Sequence, residues 1–506
     1  MVRSRSKWQS GTEVLRRAAP TGPARKAFSR WTRPGALLLA AVALGGCYTS
    51  LPSERTGALP DAPKALAAPT PQQREHARIL AAYGGIYEHP GVQVLLRQTV
   101  DRLVAASPRP DLRYDISILN SPAINAFALP SGNLYVTRGL LALANDSSEL
   151  ASVLAHEMAH VIVRHAAIRE DRVRQAAIVS RVANDLLSDP QMGALALAKS
   201  KIALATFSRT QELEADGIGV GISARAGFDP YGAMRFLTSM DRNAELKNRA
   251  AGGDGRAPDF LSSHPANPER VKHAQSSARQ FSAPGLGTRG DAEYLESLDG
   301  LVYGEDPNDG MVRGRHYLHP KLGFAFTAPE GFALDISGAA VFGMNEKSGL
   351  ALRLDVVRAP EQELAAYLTS GWIENIDARS VEELTVNGLA AATATAKGDQ
   401  WTFRLYALRS GEHVYRFLFA ARSRTPELDR VFREAIGSFR AMTEIERDSV
   451  KPLRLRVVTV QPGDTVERLA ARMALPERAA ERFRLLNGLR ADESLKPGDQ
   501  VKIVVE

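Results

Sequence analysis

The stretch from Asp146 to His165 constrains this chain more than any other. Asp146 can cap a helix, with Glu149 three residues on as its capping-box partner. Leu150, Val153, Leu154, Met158, Val161 and Ile162 then supply an apolar face. The same segment contains His156-Glu157-Met158-Ala159-His160. Helical residues four apart share a face, so both imidazoles can reach a single cation. Zinc suits imidazole ligands and lowers the pKa of a bound water to about 7. Glu157 stands beside the pair, placed to take that water's proton.

Two imidazoles leave a cation short of ligands. His165, five residues past His160, points about 140° away on a continuing helix and suits the helix C-terminus as a cation. The run Ser208-Arg209-Thr210-Gln211-Glu212-Leu213-Glu214-Ala215-Asp216 offers more. Glu212 and Asp216 share a helical face, so Glu212 is the better candidate for the third ligand. Asp216 then accepts the free ring N–H of a ligand histidine. Glu214 points elsewhere and reads as a solvated carboxylate. Arg209 can hold Glu212 or Asp216, although a structural ion pair explains it as well.

The net charge of +7 is local. Residues 1–46 hold nine of the 64 Lys/Arg but one of the 57 acidic residues, leaving −1 for the rest. No nucleic-acid partner is expected. Gly35 to Gly46 is an uncharged, mostly apolar run, too short to span a bilayer as a helix. It ends in Leu44-Gly45-Gly46-Cys47, which resembles the lipobox of bacterial lipoproteins. The resemblance implies that Cys47 is lipidated, after removal of 1–46 as a signal peptide. Cys47 is the only cysteine, so no internal disulfide can form. Tyr48 in place of Asp favours the outer membrane, with the body facing the periplasm.

With 506 residues, several domains are expected. The reading is a multidomain α+β chain. Residues 47–75 form a Pro- and Ala-rich tether. Residues 76–284 form a mainly helical domain, with helices between Gln72 and Ala106 and strands at Tyr114–Leu119 and Asn133–Thr137. Ala123–Leu129 is a third extended piece. Two helices are expected within Ala176–Phe207, one from about Ala205 to Ala224, and one from Pro230 to about Met240. Residues 285–312 read as a linker. Residues 313–445 form a separate α+β domain of unknown role, with strands such as Leu350–Val357 and His413–Ala420 before a helix near Glu427–Ile436. Its start vaguely resembles the PsbP-like fold. Residues 455–506 form a small βααβ unit.

Several motifs occur in the order of one known family. They are Asn125-Ala126-Phe127-Ala128-Leu129-Pro130-Ser131-Gly132, Thr137-Arg138-Gly139-Leu140-Leu141, the HExxH pair and the SRxxExxAD run. Residues 76–280 thereby resemble the HtpX/BepA/LoiP-like zinc metallopeptidases, gluzincins related to the CAAX prenyl protease. The resemblance implies one zinc ion per chain on His156, His160 and Glu212, with Glu157 as catalytic base. It also implies unfolded or misassembled envelope proteins as substrates. Ser262-Ser263-His264-Pro265 resembles that family's HP motif. His264 then either stabilises the oxyanion or coordinates zinc and closes its open position. Asn125, Ala126 and Phe127 are expected on an edge strand to which a peptide substrate can add. No TPR period follows, so partners recruited by such repeats are not implied.

Val457 to Val460, Pro462-Gly463-Asp464-Thr465, Leu486-Asn487-Gly488-Leu489 and Lys496-Pro497-Gly498-Asp499 resemble a LysM domain. That implies binding to peptidoglycan. Two other functions stay open: a chaperone-like assembly factor with a latent zinc site, and a peptidoglycan endopeptidase.

Overall fold

Thr70 caps the first helix, accepting from the N–H of Gln73, whose side chain returns the contact to the cap backbone. The computed structural model describes residues 70–168, 208–250, 264 and 268–506, apart from 338–339, 346, 360–361, 374, 399–400 and 424. The lipobox, most of the tether, the helices expected within Ala176–Phe207, and Ser262, Ser263 and Pro265 lie outside the described residues. No described helix is long and apolar enough to cross a membrane.

Helix α1 spans Pro71–Ala82, so the last residues assigned to the tether are its first turn. Helix α2 (Pro90–Ala106) buries Val92, Leu95, Leu96, Val100 and Leu103. A three-stranded sheet follows, ordered β1-β3-β2, with β1 Asp115–Leu119, β2 Ala126–Ala128 and β3 Asn133–Thr137. β1 and β3 are parallel and β2 is antiparallel to β3, leaving β2 as an edge strand. The expected extended piece Ala123–Leu129 thus narrows to three residues, because Pro122 and Ala123 form a bend and the ladder begins only after Asn125.

Helix α3 (Arg138–Leu143) leads to α4 (Ser147–Ile162), which Asp146 caps by accepting from the N–H of Glu149. Helices α5 (Arg209–Arg225) and α6 (Gly232–Ala250) pack on α4, and α7 (Pro268–Arg279) packs on α5 and α6. α6 extends well past Met240, where the sequence reading ended it. Close approach decides where α5 sits: a Cβ on Gly219 would stand 3.0 Å from the backbone nitrogen of His156. Any larger residue there would push the two helices apart.

The stretch read as a linker is part of the same body. Helix α8 (Asp291–Ser297) buries Tyr294, whose hydroxyl donates to the carbonyl of Leu141 at 2.7 Å. Leu298 and Leu301 join the core formed by Leu140, Leu150, Leu154 and Met158. Beyond them the chain pairs its backbone: the N–H of Gly300 donates to Leu455 and that of Leu455 to Leu301, each at 2.8 Å. Backbone pairing needs no side-chain period, which is why the segment looked featureless.

The α+β region holds a seven-stranded antiparallel sheet in the order Ile376–Val386, Leu389–Lys397, Thr402–Ser410, His413–Ala421, Leu350–Arg358, Ala340–Asn345, Ala333–Ser337. Helix Pro426–Gly437 packs Phe432 and Ile436 into a core with Phe417, Phe419 and Phe326. In the last unit, strands Arg454–Thr459 and Gln500–Val505 pair antiparallel around helices Val466–Ala470 and Ala479–Leu486. This βααβ unit is no free appendage. Leu455, Leu485, Leu486 and Val504 lie in the α4 core, and buried Lys502 donates Nζ to the carbonyls of Ala142 (2.8 Å) and Ala144 (2.6 Å).

Candidate metal centre

Helix α4 presents His156 and His160 side by side, with their Nε2 atoms 3.0 Å apart. Helix α5 brings Glu212 up from the facing side: Oε2 lies 3.5 Å from His156 Nε2 and Oε1 3.6 Å from His160 Nε2. His264 completes the cluster, its Nδ1 2.9 Å from Glu212 Oε1 and 3.3 Å from His156 Nε2. All four residues are buried, and one donor atom from each lies within 4.8 Å of the others. Three buried imidazoles and a carboxylate converging on one point are a donor set for zinc. Glu157 stands at the rim, with Oε1 3.7 Å from His264 Nε2, buried and without a hydrogen-bond partner among the described residues.

The electrostatics follow from burial and partners. Burial alone would lower the pKa of His156, but Asp216 and Glu212 outweigh it and hold it up at about 9. The pKa of His160 is driven far down by burial and by the neighbouring imidazoles of His156 and His264. Burial raises Glu157 above the usual carboxylate range. Burial would raise Glu212 too, yet hydrogen bonds from His156 and His264 carry it well below that range.

Around these groups stands a second set of contacts. Asp216 Oδ1 lies 2.9 Å from His156 Nδ1, the outward nitrogen of that ring. Buried Arg270 grips Asp216 with Nε and Nη2 at 2.8 and 2.7 Å, and its Nη1 lies 2.9 Å from Glu212 Oε2. Sequence reasoning missed Arg270, since an arginine two residues into a helix looks like any solvated cation. It considered Arg209 for the task, but Arg209 is exposed and pairs with Glu269.

His165 also overturns its expectation. α4 stops at Ile162, and Arg164 takes a left-handed conformation (φ 56°). That costs a non-glycine residue roughly 1–2 kcal/mol. The turn folds His165 back into the protein, with Nδ1 2.9 Å from His160 Nδ1. Glu214, read as solvated, is half-exposed but lies 3.3 Å from His165 Nε2.

Beside the cluster lies a cleft of about 710 Å³, lined among others by Asn125, Phe127, Ala128, Leu129, Glu157 and His264. The edge strand β2 forms one wall. Ala126 faces inward with a fully buried side chain, so it can offer only its backbone. Asn125 donates Nδ2 to the Tyr83 hydroxyl at 3.0 Å and keeps a buried Oδ1 with no hydrogen-bond partner among the described residues.

Comparison with known proteins places these features. The Peptidase family M48 description matches residues 92–278, and the LysM domain description matches residues 458–504. "Mitochondrial metalloendopeptidase OMA1" of Schizosaccharomyces pombe is 33% identical over 196 residues, 38% of this chain and 54% of that protein. "Beta-barrel assembly-enhancing protease" of Escherichia coli is 33% identical over 189 residues, 36% of this chain and 37% of that protein. The chain thus spans about half the length, or less, of these curated relatives. PsbP from Synechocystis covers 27% of the chain at 15% identity and a TM-score of 0.22, so nothing further rests on it. The HExxH helix, the Glu212 helix and His264 all lie inside the matched segment, and the chain carries a zinc-binding Peptidase family M48 domain followed by a C-terminal LysM domain.

Proposed function

We propose that this chain is a zinc metalloendopeptidase of the cell envelope that cleaves unfolded or misassembled proteins. One observation carries the reading: His156, His160, Glu212 and His264 converge within 4.8 Å beside Glu157, at the wall of a cleft bordered by an edge strand. Zinc, when bound, supplies Lewis acidity toward the scissile carbonyl and the attacking water. Glu157 takes a proton from that water and hands it to the leaving amine. Asp216 holds the His156 ring by its outward nitrogen. An extended peptide pairs with β2, which favours unfolded segments over folded ones. The relatives' names, a metalloendopeptidase and an assembly-enhancing protease, support protein substrates. Lipidation at Cys47 would hold the body at the outer membrane, and the LysM domain would bring it to peptidoglycan.

The test is casein cleavage by the zinc-loaded full chain and by Glu157→Gln. The variant should bind zinc and lose turnover by at least about 100-fold. Retained turnover would remove Glu157 from the mechanism.

A second reading keeps the site but makes its resting state latent, with His264 as a fourth ligand. The position of His264 Nδ1, 2.9 Å from Glu212 Oε1, favours it. His264→Ala should then raise casein turnover, whereas an oxyanion role predicts a fall.

A further inference from the structure

His156 has its outward nitrogen held by Asp216, and the equivalent nitrogen of His160 meets His165. We propose that His165 is a positioning residue for the metal, accepting a hydrogen bond from His160 at Nδ1 and donating one from Nε2 to Glu214. The inference rests on the zinc reading above and extends it outward from the second ligand.

The proton positions follow one another along a chain of nitrogens. At 2.9 Å the two Nδ1 atoms are at hydrogen-bond distance, so one of them must carry hydrogen. His160 offers its Nε2 to the cluster as a lone pair, which leaves its proton on Nδ1. His165 must then accept at Nδ1, and a neutral His165 carries its own proton on Nε2. Glu214 Oε2 lies 3.3 Å from that atom. Each donor therefore meets an acceptor, and the tautomer of the metal-facing ring is set from outside.

The geometry that achieves this is costly and local. Continued helix would carry His165 to the far side of α4; the left-handed turn at Arg164 returns it to a site where it is 1% exposed. The two ligand histidines are held differently. Asp216 is buried and clamped by Arg270, whereas the Glu214 side chain is 52% exposed. Charge on Glu214 is screened by water, so its share of the effect should be smaller than that of His165.

The test measures zinc affinity of the detergent-solubilised full chain by competition with a chromogenic chelator, together with the visible spectrum of the cobalt-substituted protein. His165→Leu should weaken zinc binding roughly 10- to 100-fold and shift the cobalt bands. His165→Asn, whose Oδ1 stands where Nδ1 stood, should recover part of the loss. Glu214→Gln should weaken binding less than His165→Leu does. Thermal unfolding of the metal-free variants checks that each folds; if His165→Leu does not, the Asn and Gln variants carry the comparison. Parental affinity and spectrum in His165→Leu would overturn the proposal, as would equal losses in the Leu and Asn variants. A parent chain that binds no zinc would overturn the metal reading and this inference with it; tight parental binding with unaltered variants overturns this inference alone.

Discussion

Arg270 holds Asp216 through two parallel hydrogen bonds, Nε to Oδ2 at 2.8 Å and Nη2 to Oδ1 at 2.7 Å. The pair joins the helix that follows His264 to the helix that carries Glu212, in the interior.

Removing the guanidinium would leave Asp216 and Glu212 as buried carboxylates without their shared cation. Arg270→Leu should therefore cost about 3–5 kcal/mol of stability in the metal-free protein. The loss should shrink when zinc is present, because the metal's charge partly replaces that of the arginine. Urea unfolding in chelator and in zinc measures both quantities. Arg270→Lys should fall between, since an ammonium cannot reproduce the fork. Equal losses with and without zinc would show that Arg270 has no electrostatic link to the cluster.

Lys502 makes a second buried connection, this time between the LysM domain and the segment that leads into the HExxH helix. Burial pulls its pKa down to about 7 against the charges of Glu149 and Asp146, while burial pushes Glu149 up to about 7. Lys502→Met fits the space but leaves the carbonyls of Ala142 and Ala144 without their donor. A loss of about 1–3 kcal/mol is expected, with earlier hydrogen exchange in strands 454–459 and 500–505 than in the α4 helix. Unchanged exchange in those strands would mean that the domain is held by its apolar contacts alone.

These contacts mark the line between what the sequence discloses and what it does not. The α4 helix was legible because its cap, apolar stripe and paired histidines are all local features within one period. Glu212 and Asp216 were legible for the same reason, and Gly219 explains how their helix comes near enough to matter. His165 was not, because its place depends on a single left-handed residue, Arg164, that no helical period announces. Arg270 and Lys502 look like surface cations, and only tertiary packing gives them buried partners. Residues 285–312 resembled a linker because Gly300, Leu301 and Tyr303 contribute main-chain hydrogen bonds.

The edge strand offers the sharpest test of how a substrate is held. The N–H of Thr137 donates to Asn125 and that of Leu129 to Asn133, so the alternation of an antiparallel ladder turns the backbone groups of Ala126 and Ala128 away from β3. Ala128 lines the cleft, and its N–H, turned away from β3 and without a backbone partner among the described residues, can meet a substrate carbonyl. Ala128→Pro deletes that donor while keeping the hydrogen bonds between β2 and β3, a substitution that edge strands accept. Losing one peptide hydrogen bond should lower kcat/KM on casein by about 10-fold, with zinc content unchanged. If turnover persists at the parental rate while zinc is retained, the substrate does not extend the sheet at β2, and another wall of the cleft must hold it.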